Sequence, residues 1–262
     1  MTILIISLTG AKQRREFQTQ QLSELNLDFQ FLDATSVDDI DETVYAQHYQ
    51  DWQRPLKTTE VACYYSHQHA WNKVIQANQP ALILEDDAVL SKCVPELLAD
   101  LLNRTGVDLI NFENRGRKKF VSRTAENIAC NSKLLRLYQD RTGAAGYLLW
   151  PSGAKKLLQC EQQTGIALAD AHITACYSLR AYQVEPAAAI QLDHCDYYHI
   201  HNPSSQALAK STVSSQINRK GGWRFWLKRL IHQLKLGWRQ LGLLRVADRR
   251  YIAINTKDFY RQ

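Results

Sequence analysis

The opening stretch, residues 2–32, restricts the fold more than any later segment. Thr2–Leu8 is a short apolar run rich in β-branched residues and reads as a buried strand. Arg14–Leu25 is polar, with Phe17, Leu22 and Leu25 on one side, and reads as a helix. Phe29–Leu32 is a second strand, ending in Asp33. Two strands joined through a helix lie parallel in one sheet, so the chain is expected to be α/β, with a mostly parallel central sheet. Later segments fit this plan. A helix starts at Thr58 or Thr59 and runs to about Ala77, and Pro80 ends it. Strands are expected at Ala81–Leu84, Asp108–Phe112 and Ala145–Trp150, and at Ala181–Val184 or Ala187–Leu192. Helices are expected at Pro95–Leu102, at Ser152–Leu158 behind a serine cap, and at Asp170–Ser178.

At 262 residues, 45% hydrophobic and 22% charged, the chain has material for a full core and is not of disordered, collagen-like or coiled-coil composition. No run approaches the ~20 apolar residues that span a bilayer. The N-terminal run lacks a basic region and a small-residue cleavage site, so a strand is expected there and not a signal peptide. The six cysteines show neither C-x-x-C pairs nor zinc-knuckle spacing and read as reduced thiols of a cytoplasmic protein.

Charge is unevenly placed. Residues 219–262 carry a net charge of +10, and residues 1–218 a net of −4. The segment from Gly221 to Gln240 sets Trp223, Trp226, Leu227, Leu230, Leu234 and Trp238 at helical spacing among lysines and arginines. That is the composition of an interfacial helix on anionic lipid; a helix packed on the body with snorkelling Lys and Arg stems is the other reading. No nucleic-acid motif accompanies it, and no nucleic-acid partner is expected. The division expected is a catalytic domain over 1–202 and, over 203–262, a linker or lid followed by a basic amphipathic helical appendage.

The sharpest chemical feature is Leu82-Ile83-Leu84-Glu85-Asp86-Asp87, three carboxylates at the carboxyl end of a hydrophobic strand. Ligands of open α/β sheets bind at that end. Adjacent carboxylates repel unless a cation or solvent compensates them, so the cluster is either a divalent-cation site or a solvated acidic turn. Strand alternation would project Glu85 and Asp87 to one side and Asp86 to the other. His194, His199 and His201 lie just beyond Ala187–Leu192, and a histidine at a strand end could complete an ion's shell; for any one of them an ordinary polar loop is the better reading. Glu60, Cys63 and His67 share one face of the 58–77 helix and could line a pocket; capping by Glu60 and a buried histidine are the alternatives. Asp170 could act as a general base or as a helix cap.

In its ordered blocks the sequence resembles bacterial glycosyltransferase family 25, the lipooligosaccharide galactosyl- and glucosyltransferases, which also includes the collagen galactosyltransferases. The blocks are Ile5–Leu8 with Arg14-Arg15, Phe31–Ala34, Glu60–His67 with Trp71, Leu82–Asp87, Gly143–Leu158 and Asp170, and they cover roughly residues 3–200. The resemblance implies a GT-A-like, Rossmann-like nucleotide-sugar fold, a UDP-sugar donor, Mn²⁺ or Mg²⁺, and inversion at the anomeric carbon. It implies that Asp87 binds the metal directly and that Glu85 helps through the metal or the ribose; it does not fix the third ligand, for which strand-end geometry gives His194, with Asp193 the alternative. It implies that Ser7, Leu8, Arg14 and Asp86 hold the nucleotide-sugar, that Asp170 is the base, and that Glu60, Ser66, His67, Gly146 and Tyr147 line the substrate pocket. The acceptor would be a lipid-linked saccharide of lipooligosaccharide or lipopolysaccharide, reached by an enzyme peripheral on the cytoplasmic face of the inner membrane. A metal-dependent phosphohydrolase, or a membrane- or nucleic-acid-binding module on a non-catalytic body, are the rival readings.

Overall fold

In the computed structural model, which describes residues 1–140, 143–200 and 222–259, the opening β-α-β unit forms as its periodicity predicts. β1 (Thr2–Ser7) pairs in parallel with β2 (Gln30–Asp33), and α1 (Lys12–Glu24) connects them. α2 (Glu42–His48) and α3 (Thr58–Ala77) lead into β3 (Ala81–Glu85), parallel to β1 on its other side. Then come β4 (Ala88–Leu90), α4 (Val94–Leu101), β5 (Leu109–Asn111), β6 (Lys119–Ile128), β7 (Ser132–Gln139) and β8 (Gly146–Leu149). The rest of the described chain is α5 (Pro151–Thr164), α6 (Ala169–Ala175), β9 (Ala181–Glu185), β10 (Ala189–Gln191), α7 (Trp223–Leu243) and β11 (Ala247–Arg250).

Nine strands form one sheet in the order β11-β6-β7-β9-β5-β8-β3-β1-β2, and β10 and β4 pair apart from it. β1, β2, β3, β5, β6 and β9 point one way, so strand direction is mostly shared. The reversed strands β7, β8 and β11 sit between or beside them, which makes most neighbouring ladders antiparallel. The sheet is therefore mixed rather than a continuous parallel stack. Apolar side chains from its two faces form two cores: Ile3, Ile5, Leu82 and Leu84 with Leu22 of α1 and Leu97 of α4 on one side, and Leu4, Ile6, Ile83 and Leu149 with Val61, Trp71 and Leu157 on the other.

The apolar side of α1 packs as expected, Leu22 buried and Leu25 and Phe17 partly buried against the cores, and Gln18 and Gln21 are buried as well because they clamp the backbone after β3: Gln18 Nε2 donates to Asp86 O (3.1 Å) and Ala88 O (2.8 Å), and Leu90 N–H donates to Gln21 Oε1 (2.9 Å). Two expectations change. Ser152 does not cap α5, which starts at Pro151 after Trp150; its hydroxyl donates to Asp108 Oδ1 (2.6 Å). The segment 203–262 is not wholly an appendage. β11 extends the main sheet beside β6, Ile252 and Phe259 are buried in the body, and Ala187 N–H donates to Ala253 O (2.8 Å). His201 and the linker expected at 203–222 lie outside the described residues, except for Gly222. Among the described residues no helix is long and apolar enough to cross a membrane.

Candidate functional site

The carboxylate turn begins where β3 ends, and the strand alternation stops there too. Each of the three acids then goes to a different neighbour. Asp86 turns toward β1 and α1, where Ser7 Oγ donates to its Oδ2 (2.8 Å) and Arg14 Nη1 donates to its Oδ1 (2.7 Å). Glu85 turns toward α3 and β10, where His67 Nε2 lies 3.1 Å from Oε1 and Gln191 Nε2 donates to Oε2 (3.1 Å). Asp87 stays between them. Its Oδ2 is 4.0 Å from Arg14, and its buried Oδ1 has no hydrogen-bond partner among the described residues. Burial, with Glu85 next to it, pushes the Asp87 carboxyl up to about 8.

Glu85 is held by a chain of buried polar groups. Trp71 Nε1 donates to the Tyr147 hydroxyl (2.9 Å), and that hydroxyl lies 2.9 Å from His67 Nδ1. With the indole N–H directed at its oxygen, the tyrosine proton goes to Nδ1, and the proton on Nε2 faces Glu85. His67 and Tyr147 are almost fully buried, and β8 holds Tyr147 opposite Ile83 of β3. Cys63 lies one helical turn before His67, and ligand atoms of Cys63, His67 and Glu85 lie within 4.8 Å of one another.

More acids ring the turn. Glu113, at the end of the β5 segment, is buried; Ala145 N–H donates to its Oε2 (2.8 Å) and its Oε1 has no partner among the described residues. Burial and the Glu85 charge push it up to about 8. Gly143 passes over this carboxyl at φ +103°, where a Cβ would stand 2.5 Å from Glu113 Oε2. Asp170, in the first turn of α6, accepts from Ala171 N–H (2.7 Å); burial and Glu85 raise its carboxyl, against the backbone hydrogen bonds. On the β10 side Arg115 Nη2 holds Asp193 Oδ2 at 2.8 Å, and His194 Nδ1 lies 2.8 Å from Asp193 Oδ1. Asp193 also acts on Asp87, whose carbonyl accepts from Leu192 N–H (3.0 Å).

Sequence reasoning thus finds the turn and several of its neighbours. Ser7 and Arg14 meet Asp86, while the Leu8 carbonyl accepts from Arg15 Nε (3.2 Å). His67 reaches Glu85, and Asp170 faces the same acids. Glu60 does not line the pocket: it forms a two-pronged pair with Arg54 (2.8 and 2.6 Å) and accepts from Lys57 N–H (2.9 Å), closing the start of α3. Ser66 Oγ ties Thr35 N–H to α3 (2.9 Å), and Gly146 packs where a Cβ would meet Ala189 Cβ at 3.0 Å. Tyr147 acts from behind His67. His194 is paired with Asp193, and the metal-type grouping within 4.8 Å among the described residues is the Cys63 set, without Asp87 or His194. Glu113, Gln191 and the two α1 glutamines escaped sequence reasoning. The strand-end rule applied to Glu85 would have found Glu113, two residues past Asn111, and Gln191 at the end of β10.

The site can hold a cation. Asp87 Oδ1 is a buried acid oxygen without a partner among the described residues, Glu85 and Asp193 act on the same carboxyl, and oxygen donors of this kind suit Mg²⁺ or Mn²⁺.

Residues 1–173 match the model of glycosyltransferase family 25, an LPS biosynthesis protein family. The chain is 28% identical to a putative glycosyltransferase of Haemophilus influenzae over 159 residues, covering 59% of this chain and 56% of that one, a little over half its length. It is 28% identical to the lipooligosaccharide biosynthesis protein lic2B of Haemophilus influenzae, over 71% of this chain and 74% of that one. Procollagen galactosyltransferase 1-B of Xenopus laevis is 26% identical over 70% of this chain and 34% of its own length. Among solved structures, a glycosyltransferase involved in glycosylation of the major capsid of PBCV-1 is similar at 12% identity and a TM-score of 0.33, over 63% of this chain and 67% of that one. With its matching blocks in order from the first strand to α6, this chain belongs to glycosyltransferase family 25.

Proposed function

We propose that the chain transfers a hexose, galactose first and glucose second, from a UDP-sugar to a saccharide acceptor of lipooligosaccharide or lipopolysaccharide, with inversion. The observation that carries this is the Asp87 carboxyl: half-buried, with Oδ1 buried and unpartnered among the described residues, and pushed up to about 8 beside Glu85 at the carboxyl end of β3. Burying a carboxylate without compensation costs stability, and a divalent cation would supply the compensation. Glu85 and Asp87 would hold Mn²⁺ or Mg²⁺, with Asp193 or His194 on the β10 side. When bound, the ion neutralises the charge of the departing diphosphate.

The other residues bind and orient. Ser7 and Arg14 fix Asp86, which ties the first strand's end and the start of α1 to the carboxylate turn around the nucleotide. His67 and Gln191 fix the two oxygens of Glu85. Asp170, raised by burial, is a stronger base than an exposed aspartate and takes the proton of the acceptor hydroxyl. The freed oxygen bonds the anomeric carbon from the face opposite UDP, and the bond to UDP breaks with its electron pair on the diphosphate. Thermal unfolding with UDP, Mn²⁺ and both together tests the reading. A rise seen only with both, and lost in Asp87→Asn, supports it; no shift under any condition refutes it.

A further inference from the structure

An amphipathic helix that packs on its own domain turns its apolar stripe inward. α7 does the reverse. Trp223, Trp226, Leu230, Leu234, Trp238 and Leu241 are all exposed, the three tryptophans at 71%, 65% and 73%. The side toward the body carries the polar anchors instead. Lys228 Nζ donates to Gln50 O, Arg239 Nη2 donates to Tyr138 O (3.0 Å) with its guanidinium 4.0 Å over the Tyr177 ring, and His232 meets the edge of Trp52 at 5.4 Å. Contact with the body is incomplete: a cavity of about 390 Å³ remains between α7 and the body, lined by Trp52, Cys160, Ile166, Tyr177 and Ile231. Of the helix residues, only Leu243 is buried.

From this we infer that α7 is a membrane-docking element whose outward face inserts into the interface of an anionic bilayer, with the body held above it. Charge selects the occupant. Residues 223–243 contain no Asp or Glu, and residues 219–262 carry a net +10 against −4 for the remainder, so an anionic surface is attracted by the tail and repelled by the body. Tryptophans toward both ends of an apolar stripe suit the headgroup boundary. A second copy of the chain fits less well, because it brings two tails of net +10 together. A nucleic acid fits less well again: it answers the charge but offers no apolar phase to the outward tryptophans and leucines. The inference does not rest on the transfer reaction, since docking is measured without any sugar.

The test uses the full chain and vesicles of phosphatidylcholine with or without phosphatidylglycerol. The wild type should co-sediment with the anionic vesicles, shift its tryptophan emission to the blue, and be quenched by brominated acyl chains. The Leu230→Glu/Leu234→Glu variant should lower the bound fraction at least about tenfold with thermal unfolding changed little, because both side chains are exposed, at 38% and 57%. A Leu230→Ser/Leu234→Ser variant gives the same reading if the acidic variant fails to fold. Equal binding to neutral vesicles, wild-type binding by either variant, absence of bromolipid quenching, or a concentration-dependent dimer abolished by these substitutions without vesicle binding would each overturn the inference. UDP-dependent unfolding shifts should be the same in both variants, so a failure here is distinguishable from a failure of the proposed reaction.

Discussion

Replacing Asp87 by Asn should change the sign of its effect on stability with the metal content of the buffer. The folded carboxyl sits at about 8 against 3.8 for an ordinary one. At pH 7 the unfolded chain carries it ionised while the folded chain resists ionisation, a difference of at most about 4 kcal/mol against folding. The sign follows from the raised value. The penalty is absent near the ordinary value, grows as pH rises, and levels off above about 8. An amide removes it but adds a buried N–H₂ that needs an acceptor, which costs about 1–3 kcal/mol. The net at pH 7 in chelator is a variant more stable by about 1–3 kcal/mol, or roughly 3–9 °C in Tm for a chain of this size. With UDP and Mn²⁺ present the order reverses, because only the wild type gains from binding. Thermal unfolding of both proteins in EDTA from pH 4.5 to 8, repeated with UDP and Mn²⁺ at pH 7.5, reads all of this. A variant less stable than wild type in EDTA at pH 7.5, or a difference that does not change with pH, would show that Asp87 is already compensated in the fold and would refute the reasoning.

Two further substitutions probe the same site. His67→Gln cuts the chain from Trp71 through Tyr147 to Glu85, so the Mn²⁺ concentration giving half the UDP-dependent unfolding shift should rise about 10–100-fold; an unchanged midpoint would mean Glu85 is oriented without it. Gly143→Ala drives a methyl to 2.5 Å from Glu113 Oε2 at φ +103°, and urea unfolding should show a loss of about 2–4 kcal/mol; a loss under 1 kcal/mol would mean Glu113 can swing away.

The parts of the fold legible in sequence were those with a local signal. β1, α1, β2, α3 and β3 announce themselves through apolar period and breakers within about twenty residues each. The β6–β7 hairpin does not. The middle of β6, from Arg123 to Asn127, is exposed, so polar residues break the alternation, and its turn adopts φ +57° at Cys130 and +51° at Asn131 without a glycine to mark it. β11 reads Ala-Asp-Arg-Arg, a charged edge strand that no hydrophobicity window finds. The site divides the same way. Glu85, Asp86 and Asp87 are legible because three acids follow one apolar strand. Gln191 reaches Glu85 from 106 residues away, and Glu60 is drawn off to Arg54 by a contact that helix-face geometry does not encode. Both halves of the tail are cationic, yet α7 leaves its apolar stripe in solvent while the segment after it buries Ala247, Ile252 and Phe259 in the body.

That last distinction makes truncation a poor test of membrane docking and a good test of the fold. Ending the chain at residue 218 removes α7, but it also removes β11 from the sheet edge and takes Ile252 and Phe259, 3% and 4% exposed, out of their packing. Deleting buried side chains of this size costs about 2–5 kcal/mol each, and here the ladder to β6 and the hydrogen bonds to Ala187 and Lys92 go with them. The sum approaches the whole stability of an ordinary domain, about 5–15 kcal/mol. The truncated chain should therefore lose its cooperative thermal transition, seen by circular dichroism at 222 nm, while the Leu230→Glu/Leu234→Glu variant keeps it. A truncated chain melting within a few degrees of the full one would show that 247–259 is an ornament on a body complete without it. Loss of the transition would mean that 247–259 closes the catalytic body, its β11 completing the sheet edge and its Ile252 and Phe259 completing the packing.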